Sequence, residues 1–475
     1  MQLSSVLLGD PLVPLSYEQL LLELSQAREQ LAERDRKIAR LEALVLELKA
    51  RLVASEQSSK RQAAPFSKGT PKANPKKPGR KSGEAHGPHG HRQVPAPTEV
   101  DETFEASLPD QCPDCGGEVA EDHLDEQYQT EIPRKPIVRK FNIHCGHCAC
   151  CGKQLRGRHK LQTSDATGAA QSQLGADAQA AIVYLNKHAG MSHGKITAAF
   201  DQMFGIRVSR GACAQVVLRA GRKLKPAYEE IKEKIRHSQY LTPDETGWRI
   251  GGHPVWLHGW VGDGGATLFA IDPKRSADQL QKVIGLNWSG TMTHDGYLTY
   301  NRFGEAIHQQ CVDHALRRAR KLVETQKGAA KKFPLQIIDL LDKSLETRER
   351  LNEKNADEEE RAQVYEQYVE QLQDLTGHPR RNAANETFAK HLDNNDSSWF
   401  AFLLDENTPA TNHRAEQALR VPIVNRKVWG GNRSDAGAEA QVVNSSVLAT
   451  CQKRNANPFT FVSKALRGVL SSLFA

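Results

Sequence analysis

Three acidic residues stand where the patterning of the chain brings carboxylates together. Asp244 lies in Thr242-Pro243-Asp244-Glu245-Thr246-Gly247-Trp248, Asp295 in Thr293-His294-Asp295-Gly296-Tyr297, and Glu416 in Thr411-Asn412-His413-Arg414-Ala415-Glu416-Gln417-Ala418-Leu419-Arg420. Carboxylates at the ends of neighbouring strands suit hard divalent ions, and a third acid on a helix crossing the sheet completes a two-metal site. Asn412 is the expected N-cap of that helix, with Arg420 on the same face one turn beyond Glu416. Each acid also has a plainer reading: Asp295 before Gly296 as a turn former, Glu416 as a solvated helix acid. Glu245 and Asp313 are the nearest competitors, either supporting the site from behind or lying on the surface. Tyr297 and Tyr300 invite a phenolic nucleophile, but an Arg-His-Arg set to stabilise a phosphorane is missing at a recognisable spacing.

Thiolates are the second chemistry. Cys112-Pro113-Asp114-Cys115-Gly116-Gly117 and Cys148-Ala149-Cys150-Cys151-Gly152-Lys153 are C-x-x-C knuckles with 32 residues between them, each followed by a Gly that lets backbone amides turn toward the sulfurs. Cys112, Cys115, Cys148 and Cys151 are the expected ligands of a structural Zn²⁺, because four thiolates leave no open coordination position. Cys145 and Cys150 compete with Cys148. Neither knuckle opens a helix after a strand, which disfavours a redox dithiol. The β-branched stretch from Ile132 to Ile143 is expected to supply the strands of a zinc ribbon. Gly190-Met191-Ser192-His193-Gly194-Lys195 imitates a phosphate-binding loop, but it is one residue short between its glycines and Ile196 stands where Ser or Thr is needed, so no nucleotide is expected there.

The elements that must position the acids follow from local pattern. Tyr240 to Asp244, Pro254 to Val261 and Thr267 to Ile271 read as consecutive strands, Ala277 to Ile284 as a helix, and Gly290 to His294 and Ile307 to Val312 as further strands. Three antiparallel strands followed by α/β alternation is the order of a ribonuclease-H-like core. Upstream, Ile196 to Phe204 and Arg210 to Leu224 form a helix-turn-helix-like pair about Gly205 to Ser209, with Ser209 as N-cap and Arg210, Arg219 and Arg222 available to a DNA groove; a plain helical hairpin fits as well. Trp429, beside Arg426 and Lys427, suits base stacking or a core edge equally.

The N-terminal part has a different texture. Leu24, Leu31, Ile38, Val45 and Leu52 repeat every seven residues, with Leu20, Ala27, Arg34, Leu41 and Leu48 offset by three, which predicts a coiled coil of roughly five heptads and hence a homodimer or higher oligomer. Residues 56–100 hold seven Pro, five Gly and nine Lys or Arg against three acids, a net charge of +6 out of +7 for all 475 residues. That composition predicts a disordered linker whose Lys76, Lys77, Arg80 and Lys81 lie along a phosphate backbone, or a solubilising tether without a partner. No apolar run of eighteen residues exists to span a bilayer, and Asp10, Pro11 and Pro14 interrupt the only leader-like stretch, so a cytoplasmic protein without membrane contact is expected. Six of the nine cysteines fall between 112 and 151, which favours metal over disulfides.

Taken in order, the coiled coil, the Pro-Gly-Arg-Lys linker, C-P-D-C-G-G, D-E-T-x-W, D-G-Y-x-x-Y, C-x-x-H-x-x-R and N-x-x-A-E-x-x-L-R resemble the DDE transposases of bacterial insertion sequences of family 66, over nearly the whole chain. Arg426-Lys427-Val428-Trp429, Ser434, Gly437-Ala438, Thr450-Cys451 and Asn457-Pro458 look like the closing segment of that family. The resemblance implies that Asp244, Asp295 and Glu416 are its catalytic acids. It also implies that Cys311-Val312-Asp313-His314 is the motif that ends the fifth strand, that residues about 315–405 form a helical insertion, and that the protein is bacterial and nucleoid-associated; Cys311 and His314 themselves suit packing and orienting that strand, or binding a metal with other ligands. Val421 stands where the family usually has Pro and His413 where a second Asn is common, which bears on helix geometry and not on the acids. The chemistry implied is cleavage at element ends and strand transfer with two Mg²⁺, on double-stranded DNA, with helper proteins from the same element as further expected partners.

The organisation expected is therefore multidomain α/β: a tail over 1–15, a coiled coil over 16–55, a basic linker over 56–100, a zinc domain over 101–162, a helical DNA-binding segment over 163–237, a ribonuclease-H-like core over 238–435 with its insertion, and a C-terminal helical segment over 436–475. A non-catalytic DNA-binding derivative and a nuclease without strand transfer are the alternatives.

Overall fold

The computed structural model describes residues 17–60, 94–130, 132, 135–166 and 173–474. The chain divides into two units, residues 1–79 and 80–475. Lys76, Lys77, Arg80 and Lys81 lie outside the described residues.

In the first unit, α1 (Tyr17–Lys60) is one 44-residue helix. No Gly or Pro interrupts it, so the cost of nucleation is spread over many favourable propagation steps. Leu24, Leu31, Ile38, Leu41, Val45 and Leu48 are each about half exposed, so the heptad seam lies open on the single chain.

The second unit begins with little regular structure. β1 (Cys145–His147) pairs antiparallel with β2 (Gln154–Arg156) around the second knuckle, and a bridge between Gln111 and Glu118 closes the first. The strands expected over Ile132 to Ile143 do not appear among the described residues of that stretch, which are irregular. Pro136 removes a ladder donor from it, so β-branched composition alone does not make a strand.

Three helices follow, α2 (Ala176–Lys187), α3 (His193–Phe204) and α4 (Arg210–Arg236). Gly205 ends α3 at φ +63°, and Ser209 caps α4 by accepting from the Ala212 N–H at 3.1 Å. The expected helical pair is present, but α4 runs to Arg236 instead of Leu224. Its stripe of Val216, Val217, Ala220, Leu224, Ala227, Ile231 and Ile235 is buried, which makes α4 a central support of the core.

The sheet comprises β3 (Tyr240–Ile250), β4 (His253–Val261), β5 (Thr267–Asp272), β6 (Thr291–His294) and β7 (Ile307–Gln310), with α5 (Asp278–Ile284) between β5 and β6. Its order is β5-β4-β3-β6-β7; the first three strands are antiparallel, and β6 and β7 continue parallel to β3. Four helices, α6 (Val312–Thr325), α7 (Lys332–Glu353), α8 (Glu358–Thr376) and α9 (Ala383–Asp393), then gather a separate hydrophobic core from Val312 to Ala410. The chain returns to the sheet through α10 (His413–Trp429) and closes with α11 (Asp435–Lys453) and α12 (Pro458–Leu466).

α11 covers the edge of the sheet. The β5 amides of Thr267 and Phe269 donate to the hydroxyls of Thr450 (3.1 Å) and Ser446 (2.9 Å), so an edge that would otherwise invite another strand is satisfied by helix side chains. α4 packs closely on α11: a β-carbon on Gly221 would stand 2.9 Å from Ala440 Cα, and Asn444 donates to the Val217 carbonyl at 3.1 Å. Among the described residues no helix is long and apolar enough to cross a membrane.

One buried cation sits where α2, α10 and α11 meet. Lys187 is 4% exposed; its ammonium donates to Gln441 Oε1 at 2.7 Å and lies 4.9 Å from the Trp429 ring. Burial pushes this amine down to about 7 from its ordinary 10.5. Between those values the unfolded chain holds the proton and the native chain does not, so stability rises with pH across the window, by at most about 1.4 kcal/mol per pH unit. Lys187→Met is expected to remove this slope, so that the wild-type melting temperature rises relative to that of the variant from pH 7 to pH 9. Parallel melting curves from pH 7 to 9 would refute the assignment.

Candidate active site

The sheet register sets two of the acids level with each other. β3 and β6 pair with Tyr240 opposite Thr291 and Leu241 opposite Met292; continued, that register sets Asp244 against Asp295. Pairing stops after Leu241, so the two strands leave a gap flanked by Asp244 and by Asp295, the residue after β6. Asp244 is not at the end of its strand, as the sequence led one to expect, because β3 continues to Ile250 as an arm of the β3–β4 hairpin. Asp295 is also the turn former of its plainer reading: Oδ1 accepts from the Tyr297 N–H at 3.0 Å, and Gly296 follows at φ +86°.

Glu416 arrives on α10, which packs across β3 and β4. Gly259 of β4 is the register partner of Asp244, and opposing residues of an antiparallel pair share a face. A β-carbon at Gly259 would stand 3.0 Å from Leu419 Cγ and 3.1 Å from Phe269 Cε1, so Leu419 occupies the room that this glycine leaves. Glu416, three residues before Leu419, is thereby held on the Asp244 side of the sheet. The start of the helix is pinned by its backbone. The Asn412 N–H donates to Cys311 Sγ at 3.4 Å, and the Val312 N–H donates to the Ala410 carbonyl at 3.0 Å. Asn412 opens the helix as expected but not by its side chain, whose Oδ1 is buried without a partner; its carbonyl accepts from Ala415 and Glu416. The helix runs unbroken through Val421 and Pro422.

The electrostatics show that the three acids share one field. Burial is the main cause that pushes Asp244 up to about 7; the Glu245 N–H at 2.8 Å opposes it, and the charges of Glu245, Asp295 and Glu416 add to the rise. Among the described residues no basic side chain pairs with Asp244 or Asp295. Glu416 is different: His314 Nε2 and Arg317 Nη2 of α6 stand 3.8 and 3.7 Å from its Oε1. His314 thus faces the acid directly. Arg317 went unremarked in the sequence, although its spacing after His314 in C-x-x-H-x-x-R places both on one helix face. Asp313 is exposed at the start of α6.

Glu245 is no surface residue. Its side chain is 2% exposed and pairs with Arg275 at 2.7 Å, a partner with no sequence signal. Tyr300 is buried and donates to Glu245 at 2.7 Å, while the Tyr297 hydroxyl donates to the Arg275 carbonyl at 2.8 Å; both phenol hydroxyls are engaged by protein groups.

The donor set of Asp244, Asp295 and Glu416 is hard oxygen, and Asp244, half-buried and without a basic partner, is a carboxylate that a cation would compensate. Among the described residues no group of three or more His, Cys, Asp or Glu is gathered as for a single ion. Magnesium does not demand such a cage, since one or two carboxylates with retained waters suffice.

The cysteine knuckles are each formed. Cys112 accepts the Gly116 amide at its carbonyl and donates its own amide to Gly117 (2.8 and 3.0 Å); Cys148 does the same with Gly152 and Lys153 (2.8 and 2.9 Å). Backbone N–H groups of Asp114 and Cys115 hold the Cys112 thiol below its usual value, and those of Cys151 and Cys150 do so for Cys148. Cys145 instead directs its Sγ at the Ile143 carbonyl, 3.8 Å away. Cys112 stands with Cys115 and Cys148 with Cys151, but the two pairs are not gathered into one group.

The candidate DNA-contacting residues divide by environment. Arg210 is exposed, whereas Arg219 donates to Gln179 Oε1 at 3.1 Å and braces α2 against α4. Lys427 is exposed. Arg426 is half-buried; burial and the neighbouring Arg249 lower its proton affinity, and no carboxylate pairs with either among the described residues. Trp429 is a core-edge residue: Trp248 packs edge-on at 6.0 Å and Lys187 lies over its ring, which leaves stacking on a base unsupported.

No curated protein matches the chain. Residues 171–440, more than half of its length, match the family described as Transposase IS66 family. The match spans β3, β6 and α10 with all three acids, and the chain belongs to the IS66 family of transposases.

Proposed function

We propose that this transposase is a DDE enzyme that cleaves the ends of its insertion sequence and joins the freed 3′ ends to target DNA, on a ribonuclease-H-like core. The observation that supports the reading is that the half-buried carboxyl of Asp244 lies within the field of both Asp295 and Glu416. The strand order, with three antiparallel strands and two parallel additions beside the first, supports the core assignment. Asp244, shared between Asp295 on one side and Glu416 on the other, would hold two Mg²⁺ ions, which when bound supply Lewis-acid stabilisation of charge at the scissile phosphate. The chain's own part is to fix the acids on rigid elements, β3, the end of β6 and α10. Arg317 offsets the charge of Glu416 before cations arrive, and both Arg317 and His314 remain available to a phosphate.

DNA is the partner that a transposase implies, and the unpaired Arg426 and Arg249, with exposed Lys427 and Arg210, are suited to its backbone. The linker cations Lys76, Lys77, Arg80 and Lys81 add a salt-dependent contribution. A second copy of the chain covers the open seam of α1 in a coiled coil. Zn²⁺ is proposed to draw the two knuckles together through Cys112, Cys115, Cys148 and Cys151. Metal analysis of the full chain is expected to give about one zinc per chain, with Cys112→Ser and Cys148→Ser each abolishing it; a metal-free protein under reducing conditions would refute the site.

The function is tested by incubating the full chain with Mg²⁺ and DNA carrying the sequences that flank its gene. Nicks that leave 3′-hydroxyl ends are expected. Binding without cleavage, with helper proteins of the same element present, would make the chain a DNA-binding derivative.

A further inference from the structure

Behind the two strand-borne acids lies a second set of polar groups that no step of the reaction uses. Glu245 follows Asp244 on β3 and so points to the other face of the strand. Its Oε1 accepts from Arg275 Nε at 2.8 Å, with Nη2 at ion-pair distance (2.7 Å), and its Oε2 accepts from the Tyr300 hydroxyl at 2.7 Å. Arg275 comes from the segment between β5 and α5. Its guanidinium lies 4.1 Å from the Tyr297 ring and 5.1 Å from the Trp256 ring, and its carbonyl accepts from the Tyr297 hydroxyl. Tyr297 in turn donates its backbone N–H to Asp295, and Glu245 donates its own to Asp244.

The contacts therefore form one connected path, Asp244 to Glu245 to Arg275 to Tyr297 to Asp295. We propose that the Glu245–Arg275 pair is a latch that sets the spacing of Asp244 and Asp295, which makes both of its members positioning residues for cation binding. The inference rests on the reading of those acids as cation ligands. Two physical arguments favour it over simple scaffolding. β3 and β6 stop pairing after Leu241, so backbone hydrogen bonds between them do not fix the gap between the acids, and a side-chain tie must do so. Glu245 would also add a third negative charge beside Asp244 and Asp295; Arg275 neutralises it where it is buried, confining the negative field to the side where a cation would enter. The planar guanidinium sets Nε and Nη2 side by side against one oxygen of Glu245, a directed two-point contact that a Lys ammonium does not reproduce.

The test measures Mn²⁺ binding to the full chain by calorimetry in the absence of DNA, alongside melting temperature and Mg²⁺-dependent cleavage. Arg275→Lys keeps the charge on a side chain that is 40% exposed and removes the two-point grip. The double variant Glu245→Gln with Arg275→Met removes the pair without leaving a buried charge. Loss of a group supporting metal ligands typically weakens metal affinity by about 10-fold to 100-fold, and a loss of that size is expected in both variants, with melting in cation-free buffer within a few degrees of wild type. The half-saturating Mg²⁺ for cleavage is expected to rise in parallel, with the rate at saturating Mg²⁺ largely retained. Unchanged Mn²⁺ affinity in both variants overturns the latch, as does unfolding of both, which would make the pair purely structural. A wild type that binds no Mn²⁺ removes the cation site itself and the latch with it, whereas a wild type that binds Mn²⁺ but never cuts DNA refutes the proposed function and leaves the latch standing.

Discussion

Replacing Asp244 or Asp295 by Asn, or Glu416 by Gln, is expected to lower DNA cleavage by about a thousandfold or more while leaving DNA binding intact. Residues that act as one unit each carry nearly the whole effect when removed, so the three single variants and the triple variant should be similarly inactive. The residues come from β3, the end of β6 and α10, and each substitution preserves shape. Stability makes a useful control at Asp244. Burial raises its native pKa to about 7, above the 3.8 of an ordinary Asp. Between those values the native carboxyl holds a proton that the unfolded one has lost, so the native state loses stability as pH rises through that window. An amide does not titrate. In cation-free buffer Asp244→Asn is therefore expected to melt at or above the wild-type temperature at pH 7.5, with the difference shrinking toward pH 5. An inactive variant that melts well below wild type would have lost its fold instead of its chemistry.

The next largest effect is expected at a residue with no functional group. Gly259 lies opposite Asp244, and its missing side chain is the seat of Leu419. Gly259→Val would bring methyl groups into contact with Leu419 and Phe269 already at the limit of close approach, costing roughly 1–3 kcal/mol by overpacking. The easier relief is for α10 to lift from the sheet, and Glu416 moves with it. A displacement of about 1 Å at a catalytic group costs on the order of 100-fold in rate, so Gly259→Val is expected to remain folded with activity reduced by about that factor. Leu419→Ala on the same background returns the space and is expected to recover part of the activity. A fully active Gly259→Val would mean that α10 is not positioned by this contact.

Much of the sheet was legible because its strands are short, apolar and punctuated by Gly, and β4, β5 and β6 begin and end within two residues of the expected positions. What was not legible depends on tertiary contacts. The second helix of the pair was expected to end at Leu224, whereas α4 continues through Pro226 to Arg236 because its apolar stripe goes on being buried through Ala227, Ile231 and Ile235. The ribbon strands between the knuckles were expected from β-branched residues, but Pro136 among them removes a ladder donor and the hairpin formed instead around Gly152. Glu416 was found through its motif, yet the reason it reaches the sheet, Gly259 under Leu419, lies 157 positions earlier than Glu416 in the chain and carries no chemistry to notice. Arg317 was visible in a motif without a partner to give it meaning, and Arg275 sits in a loop where nothing in the pattern marks it. Trp429 was read two ways, and its neighbours Trp248 and Lys187 decide for the core.

The central claim is that one set of acids both frees a 3′ end and joins it to new DNA. The most direct measurement supplies the full chain with Mg²⁺, helper proteins of the same element, labelled DNA ending in its terminal sequence and an unlabelled plasmid target. The products are then sequenced across any new junction. The account predicts label joined covalently to the plasmid through the 3′ end of the element, lost together with cleavage in each of the three acid variants. Cleavage without a joined product would contradict strand transfer and leave a nuclease, and joining that survives Asp244→Asn would contradict the site itself.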